Sequence, residues 1–225
     1  MAGIDLSRTT DLTAASLIIE KDGKNYVITN SYMPRERFKV AINEENVPYN
    51  IFEQQGFLKI SGEHQVDYKD VFNWFIELVK VYKIKPLKVG YDRYCAGYLV
   101  QEMKEAGFHM DDVYQGTNLT PVLHTFEGDL KDGAYCLGEN NLLRAHLLNV
   151  AVDININDSR MKPVKLEKRA HIDGARVNLR RVGRENEIPQ RDRETTYKHS
   201  VKEASAFFFL LPESRSEFHD LFLYD

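Results

Sequence analysis

The chain has 225 residues, 43% of them hydrophobic, and a net charge of −4 at pH 7. This length can bury the core of one domain, and the acidic balance argues against a protein that coats nucleic acid uniformly, though not against a local basic patch. The sequence has no apolar run long enough to span a bilayer and no export leader, and Cys95 and Cys136 lack zinc-motif spacing. We therefore expect an intracellular protein with reduced thiols.

In chain order, the first elements have the pattern of an antiparallel meander. The predicted strands are residues 2–6, 12–19 and 25–32. Asp22-Gly23 is a strong hairpin signal between the second and third strands. The third strand should end before Pro34, because proline has no N–H to donate to a strand ladder.

Helices and strands alternate in the rest of the first 156 residues. A long helix should begin after Asp67, a residue type that caps helix N-termini, and Gly107 should end a later helix. The predicted elements are a surface helix, a turn and a short strand within residues 35–66, a helix at 67–83, a strand at 87–91, a helix at 95–106, a short parallel strand at 112–114, helices at 119–133 and 140–149, and an extended segment at 150–156. This order predicts an α/β chain with a ribonuclease H-like mixed sheet, an antiparallel three-strand meander plus parallel strands, flanked by helices.

Three acids that are far apart in the sequence lie in apolar, strand-like surroundings. They are Asp5, Asp92 and Asp173. A buried carboxylate is costly unless a cation or hydrogen bonds compensate it, and carboxylate oxygens are ligands that Mg²⁺ and Mn²⁺ prefer. The three acids together therefore suggest a divalent-metal site.

Each of these acids also has a purely structural interpretation. Asp5 could bond to a nearby hydroxyl group, and Asp92 could cap the helix that follows it. Asp173 could form a turn with the glycine after it. Asp153, in an apparent strand, is the alternative third ligand if Asp173 is misassigned.

Three segments of the sequence, GIDLSRTTDLTA, VGYDRY and KPVKLEKRAHIDGA, contain the three acids in that order. In combination and spacing they resemble the nuclease domain of the large terminase subunit of tailed bacteriophages, from residue 3 to about residue 175. The resemblance implies a metal-dependent DNA endonuclease that cuts concatemeric phage DNA by two-metal-ion phosphodiester hydrolysis. It places the catalytic metal ligands at Asp5, Asp92 and Asp173, with Asp5 bridging the ions. Asp11 could be an accessory ligand, but a structural role fits this residue better.

The same resemblance implies the cofactors and the partners. The cofactors would be two divalent cations, Mg²⁺ or Mn²⁺. The partners would be double-stranded DNA, the terminase small subunit, the portal and an upstream ATPase domain, in the cytoplasm of the host cell. Because carboxylates that share a metal site repel one another, we expect at least one of the acids to have a raised pKa in the metal-free protein.

The resemblance weakens after Ala175, where the family would continue into an apolar, alanine-rich helix and this chain is polar. We expect residues 1–182 to form the nuclease domain. Residues 183–225 are expected to be a charged loop followed by an apolar C-terminal segment of undefined role.

A basic run surrounds the third acid. Between residues 160 and 184 the chain has nine basic residues against two acidic ones. Such a run can hold a phosphate backbone without reading its sequence, although an ordinary solvated face is equally common. The predicted DNA contacts are Lys162, Lys165, Lys168 and Arg169.

Two other function classes fit part of the pattern. The turn after the first strand also resembles the phosphate loop of actin-like and sugar-kinase ATPases, and the acids could instead belong to a non-catalytic DNA-binding or docking module. The chain has no Gly-x-x-x-x-Gly-Lys-Ser/Thr motif, so we expect it to have no ATPase activity of its own. Metal-dependent cleavage of plasmid DNA separates the three classes.

Overall fold

The computed structural model describes residues 1–7, 11–92, 97–113, 120–155, 157–166, 171–176 and 178. The strands are β1 (Ala2–Asp5), β2 (Thr13–Lys21), β3 (Lys24–Met33), β4 (Leu58–Ile60), β5 (Val89–Tyr91), β6 (Met110–Asp112), β7 (Tyr135–Cys136), β8 (Val150–Ile154) and β9 (Met161–Lys165). The helices are α1 (Arg35–Glu44), α2 (Tyr49–Gln54), α3 (Tyr68–Lys80), α4 (Gly97–Glu105), α5 (Thr120–Lys131) and α6 (Asn141–Leu148). Residues 173–176 and 178 are also helical.

The main sheet is mixed, with the strand order β4-β3-β2-β1-β5-β6 and with β7 paired to β3. Strands β1, β2 and β3 form the predicted antiparallel meander, while β5 and β6 extend it in parallel from β1. Asp22 and Gly23 connect β2 to β3 with positive φ angles of 51° and 74°, as a two-residue hairpin loop requires. The predicted mixed sheet flanked by helices is confirmed.

Both faces of the sheet are covered, and strand periodicity decides which side chain points to which face. On β2, Ala15 and Leu17 belong to the main core, which includes Phe75 of α3 and Met103 of α4. Their neighbour Ile18 packs on the opposite face, against Leu143 of α6. The even-numbered positions of β2 therefore face α6, and Ser16 is one of them.

Helix α3 forms where its apolar residues repeat at helical spacing. Val71, Trp74, Phe75 and Leu78 are its buried residues, and the side chain of Asp67 accepts a hydrogen bond from the backbone N–H of Lys69. The predicted N-cap at Asp67 is therefore confirmed. None of the described helices combines the length and the apolarity needed to span a bilayer.

Some of the predicted elements differ from the structure. Strand β6 begins and ends two residues earlier than predicted, and β7 and β9 were not predicted. The extended segment predicted at 150–156 is β8, which pairs with β9 in a separate two-stranded sheet. These strands are short and lack an alternating apolar pattern, so sequence periodicity gives little signal for them. Residues 183–225 lie outside the described residues.

Candidate metal centre

The parallel pairing of β1 with β5 brings two of the predicted ligands to one edge of the sheet. Ala2 lies opposite Val89 and Ile4 lies opposite Tyr91. Asp5, the last residue of β1, and Asp92, the residue after β5, therefore follow at neighbouring positions. Because side chains alternate along a strand, Asp5 points away from the face that contains Ile4.

The register of β1 on β2 shows which elements cover Asp5. Gly3 pairs with Ser16, and Asp5 pairs with Ala14. Directly opposed residues in an antiparallel pair share a face, so Asp5 lies on the same face as Ser16. This is the face that packs against α6, and Asp5 is buried in it.

The segment that contains Asp173 docks on this same face through buried polar groups. The Ser16 hydroxyl donates to Oδ1 of Asn178 at 2.9 Å, and Nδ2 of Asn178 donates to the Gly174 carbonyl at 2.7 Å. The Gly174 N–H donates to Nδ1 of His146, on α6, at 3.0 Å. Asp173 and Gly174 are helical, so the interpretation of these two residues as a turn is wrong.

Docking of this segment brings Asp173 together with a second predicted residue and with a histidine. One ligand-type atom each from Asp11, His171 and Asp173 lies within 4.8 Å of the other two. Nδ1 of His171 lies 3.6 Å from Oδ1 of Asp11 and 3.5 Å from Oδ2 of Asp173. The backbone N–H of Asp11 donates to the Ser7 hydroxyl at 3.2 Å, which anchors Asp11 beyond the end of β1.

The other ring nitrogen of His171 faces a carboxylate on the far side of the cluster. Nε2 lies 3.3 Å from Oε2 of Glu45, the residue that ends α1. Glu45 in turn accepts a hydrogen bond from the Tyr49 hydroxyl at 2.7 Å and forms an ion pair with Arg37. The ring of Tyr49 packs edge-on against His171, with ring centroids 6.4 Å apart. Glu45 at the end of α1 and Tyr49 of α2 thus hold the imidazole in place through contacts that do not involve Nδ1.

The electrostatics of the cluster favour a charged carboxylate in a site with little water. Burial alone would raise the pKa of Asp173, but the contact with His171 and the nearby Lys165 ammonium outweigh it, so this pKa is lowered. Nζ of Lys165 donates to Oδ1 of Asp11 at 2.7 Å. The direction for Asp173 is thus the opposite of a raised pKa, and the expectation that at least one of the three acids has a raised pKa stays a prediction.

Comparisons with known proteins show the family to which the chain belongs. The family model described as "Terminase large subunit, endonuclease domain" matches residues 1–187. The chain belongs to this family. No curated protein sequence matches the chain.

Two solved structures share the fold of this terminase nuclease domain. The HK97 bacteriophage large terminase superposes with a TM-score of 0.72 at 23% identity, over 81% of this chain and 38% of that one. The large terminase nuclease from the thermophilic phage G20c, solved with bound magnesium, superposes with a TM-score of 0.51 at 9% identity, over 80% of this chain and 78% of that one. The chain thus spans 38% of the length of the HK97 protein.

The positions of the predicted ligands in this terminase nuclease domain fall into two groups. Asp11 and Asp173 belong to the three-residue cluster, whereas Asp5 ends β1 and Asp92 follows the neighbouring strand β5, both outside that cluster. Asp153 is exposed on β8, in the separate two-stranded sheet, where it forms an ion pair with Lys162 at 3.4 Å. The ligand set inferred from the resemblance stays a prediction.

The predicted DNA contacts have different surroundings. Lys162 is half exposed on β9, and Lys165 is directed at Asp11. Lys168 and Arg169 lie outside the described residues. Sequence reasoning missed His171 and Glu45; the only local signal for His171 was its position two residues before Asp173.

Proposed function

We propose that this chain is a divalent-metal-dependent endodeoxyribonuclease that cuts concatemeric phage DNA during packaging. The proposal rests on two buried polar atoms of the cluster that lack a hydrogen-bond partner among the described residues. Oδ2 of Asp173 and Nδ1 of His171 are buried and form no hydrogen bond with any described residue. Buried polar atoms are almost always satisfied, and a divalent cation bound by these two atoms would satisfy both.

The donor set fits a hard divalent ion. The proposed ligands are Asp5, Asp92 and Asp173, with Asp11 beside them, and carboxylate oxygens suit both Mg²⁺ and Mn²⁺. Asp5 and Asp92 lie at the adjacent ends of β1 and β5, and the segment with Asp173 is bonded to Ser16 on the face that contains Asp5. When bound, two such ions would activate a water molecule and neutralise the charge that develops on the cleaved phosphate.

The protein's own groups would orient and hold the substrate. We propose that Lys162, Lys165, Lys168 and Arg169 contact the phosphate backbone, which suits cleavage without strict sequence preference. Residues 1–182 would form the nuclease domain. The proposed partners are double-stranded DNA, the terminase small subunit, the portal and an upstream ATPase domain, and the proposed location is the host cytoplasm.

The test is plasmid cleavage by the purified chain with Mg²⁺ or Mn²⁺ and with EDTA. Asp5→Asn, Asp92→Asn and Asp173→Asn each keep the side-chain shape and remove ligand charge, so each should abolish cleavage. Asp132→Asn is the matched control, because Asp132 is exposed after α5.

We expect nicked and linear products with metal, none in EDTA, and unchanged activity in the control. Full cleavage by Asp5→Asn would refute the two-ion mechanism. Loss of activity in Asp92→Asn but not in Asp173→Asn would show that the third ligand is misassigned.

A further inference from the structure

His171 lies within the cluster of Asp11 and Asp173, although a metal site made only of carboxylates would not require a histidine there. The side chain is 8% exposed and its Nδ1 is directed at two carboxylates, at 3.5 Å from Asp173 and 3.6 Å from Asp11. Among the described residues this nitrogen has no hydrogen-bond partner, and neither has Oδ2 of Asp173. Two buried polar atoms that face each other without a hydrogen bond indicate that something belongs between them.

The contact with Glu45 determines what Nδ1 can do. Glu45 is an acceptor, so the short contact with Nε2 requires the proton of a neutral imidazole on Nε2 and leaves a lone pair on Nδ1. That lone pair would then face the negative oxygens of Asp11 and Asp173. Such an arrangement is repulsive unless a second proton sits on Nδ1 or a metal ion sits between the nitrogen and the carboxylates.

Several groups restrain the imidazole in this orientation. Glu45 is itself fixed by Arg37 and by the Tyr49 hydroxyl, and the His171 carbonyl accepts a hydrogen bond from Asn149 at 3.2 Å. In metal sites, a ligating histidine commonly donates its second ring N–H to a carboxylate, which fixes the tautomer and orients the ring. The contact between Glu45 and His171 has this form.

We propose that His171 Nδ1 is a metal ligand together with Asp11 and Asp173, and that Glu45 is its positioning residue. This inference rests on the proposed function, because it concerns one of the ions that the nuclease would bind. Its consequence is metal selectivity. An imidazole nitrogen is a poor ligand for Mg²⁺ but a good one for later divalent ions, so this ion position should favour Mn²⁺ over Mg²⁺.

The observed separations are compatible with this role. Adjacent ligands of an octahedral ion with bonds of about 2.1 Å lie roughly 3.0 Å apart. The nitrogen-to-oxygen distances of 3.5 and 3.6 Å exceed this value only slightly. Asp11 is the most exposed member, with 38% of its side chain accessible, so it has room for this adjustment.

The decisive measurement is the electron spin-echo modulation of bound Mn²⁺, which detects a directly coordinated ¹⁴N nucleus. It is combined with calorimetric titration of Mn²⁺ and Mg²⁺ into the same protein. The variants are His171→Gln, which replaces the nitrogen donor by an amide oxygen, Glu45→Gln, and the control His124→Gln. His124 is exposed on α5, away from the cluster.

We expect a ¹⁴N signal in the wild type and in His124→Gln, and none in His171→Gln. The Mn²⁺ affinity of His171→Gln should fall by about 10- to 100-fold while its Mg²⁺ affinity changes much less. Glu45→Gln should keep the ¹⁴N signal and lose about 10-fold in Mn²⁺ affinity. The melting temperature in EDTA shows whether each variant is folded, and the unmutated protein gives the ¹⁴N result independently of the variants.

The outcomes separate this inference from the proposed function. Mn²⁺ binding and DNA cleavage without a ¹⁴N signal would overturn the role of His171 and leave the carboxylate nuclease standing. Equal losses of Mn²⁺ and Mg²⁺ affinity in a folded His171→Gln would also overturn it. Absence of Mn²⁺ binding in the wild type would overturn both proposals.

Discussion

Replacing Gly174 by alanine should displace the segment that holds Asp173. A Cβ at this position would lie 2.8 Å from Nδ1 of His146 and 3.1 Å from Cδ1 of Leu143. The imidazole of His146 is buried and accepts the Gly174 N–H, so it cannot move aside without losing that hydrogen bond. Alanine therefore has to push the helical residues 173–176 and 178 away from α6.

The expected cost combines two effects. Overpacking of a buried contact costs about 1–3 kcal/mol, and weakening the hydrogen bond to His146 adds about 1 kcal/mol. Gly174→Ala should thus lower the free energy of unfolding by about 2–4 kcal/mol. Mn²⁺ affinity should fall as well, because Asp173 is the preceding residue.

The matched control is Gly128→Ala, within α5. No atom lies within 4 Å of a Cβ built at Gly128, so alanine should stabilise the helix by up to about 1 kcal/mol. Urea denaturation measures stability, and calorimetry measures Mn²⁺ binding. A Gly174→Ala protein as stable as Gly128→Ala, with wild-type metal affinity, would refute the close-packing argument.

Two further predictions follow from the electrostatics of the site. Lys165→Ala should raise Mn²⁺ affinity by up to about fivefold, because the Lys165 ammonium competes with the metal ion for the carboxylate of Asp11. A lower Mn²⁺ affinity of the variant in calorimetry would contradict this prediction. Burial lowers the pKa of His146 from 6.5 to about 4, so below pH 6.5 the unfolded chain binds a proton that the folded chain does not. The free energy of unfolding should therefore fall by about 2 kcal/mol between pH 7 and pH 5, as measured by urea titration. The His146→Gln variant should not show this loss. A wild-type protein whose stability is the same at both pH values would disprove the prediction.

The fold could largely be predicted from the sequence because its signals are local. The hairpin at Asp22-Gly23 and the apolar stripe of α3 each depend on residues close together in the chain. Strand β7 has two residues and forms only because the edge of β3 is available to it. No local pattern specifies such a pairing.

The site was predicted only in part, because its contacts join distant parts of the chain. The four acids follow from motif resemblance. The contact of His171 with Glu45 spans 126 positions, and that of Lys165 with Asp11 spans 154. Periodicity carries no information about such pairs, so the sequence indicated neither the contact of Lys165 with Asp11 nor any role for Glu45.

The polar residues that replace the expected alanine-rich helix have a counterpart in the sheet. Ser16 is a polar residue in a buried face, and its hydroxyl also lies 2.8 Å from the Thr29 hydroxyl. Asn178 is the group on the docking segment that bonds Ser16. Sliding the helix along the sheet would take the Ser16 hydroxyl away from Oδ1 of Asn178, and an unsatisfied buried polar group costs about 1–3 kcal/mol. The pair thus restrains the helical residues 173–176 and 178 on the sheet, and we infer that Asn178 keeps Asp173 in position through hydrogen bonding instead of apolar packing.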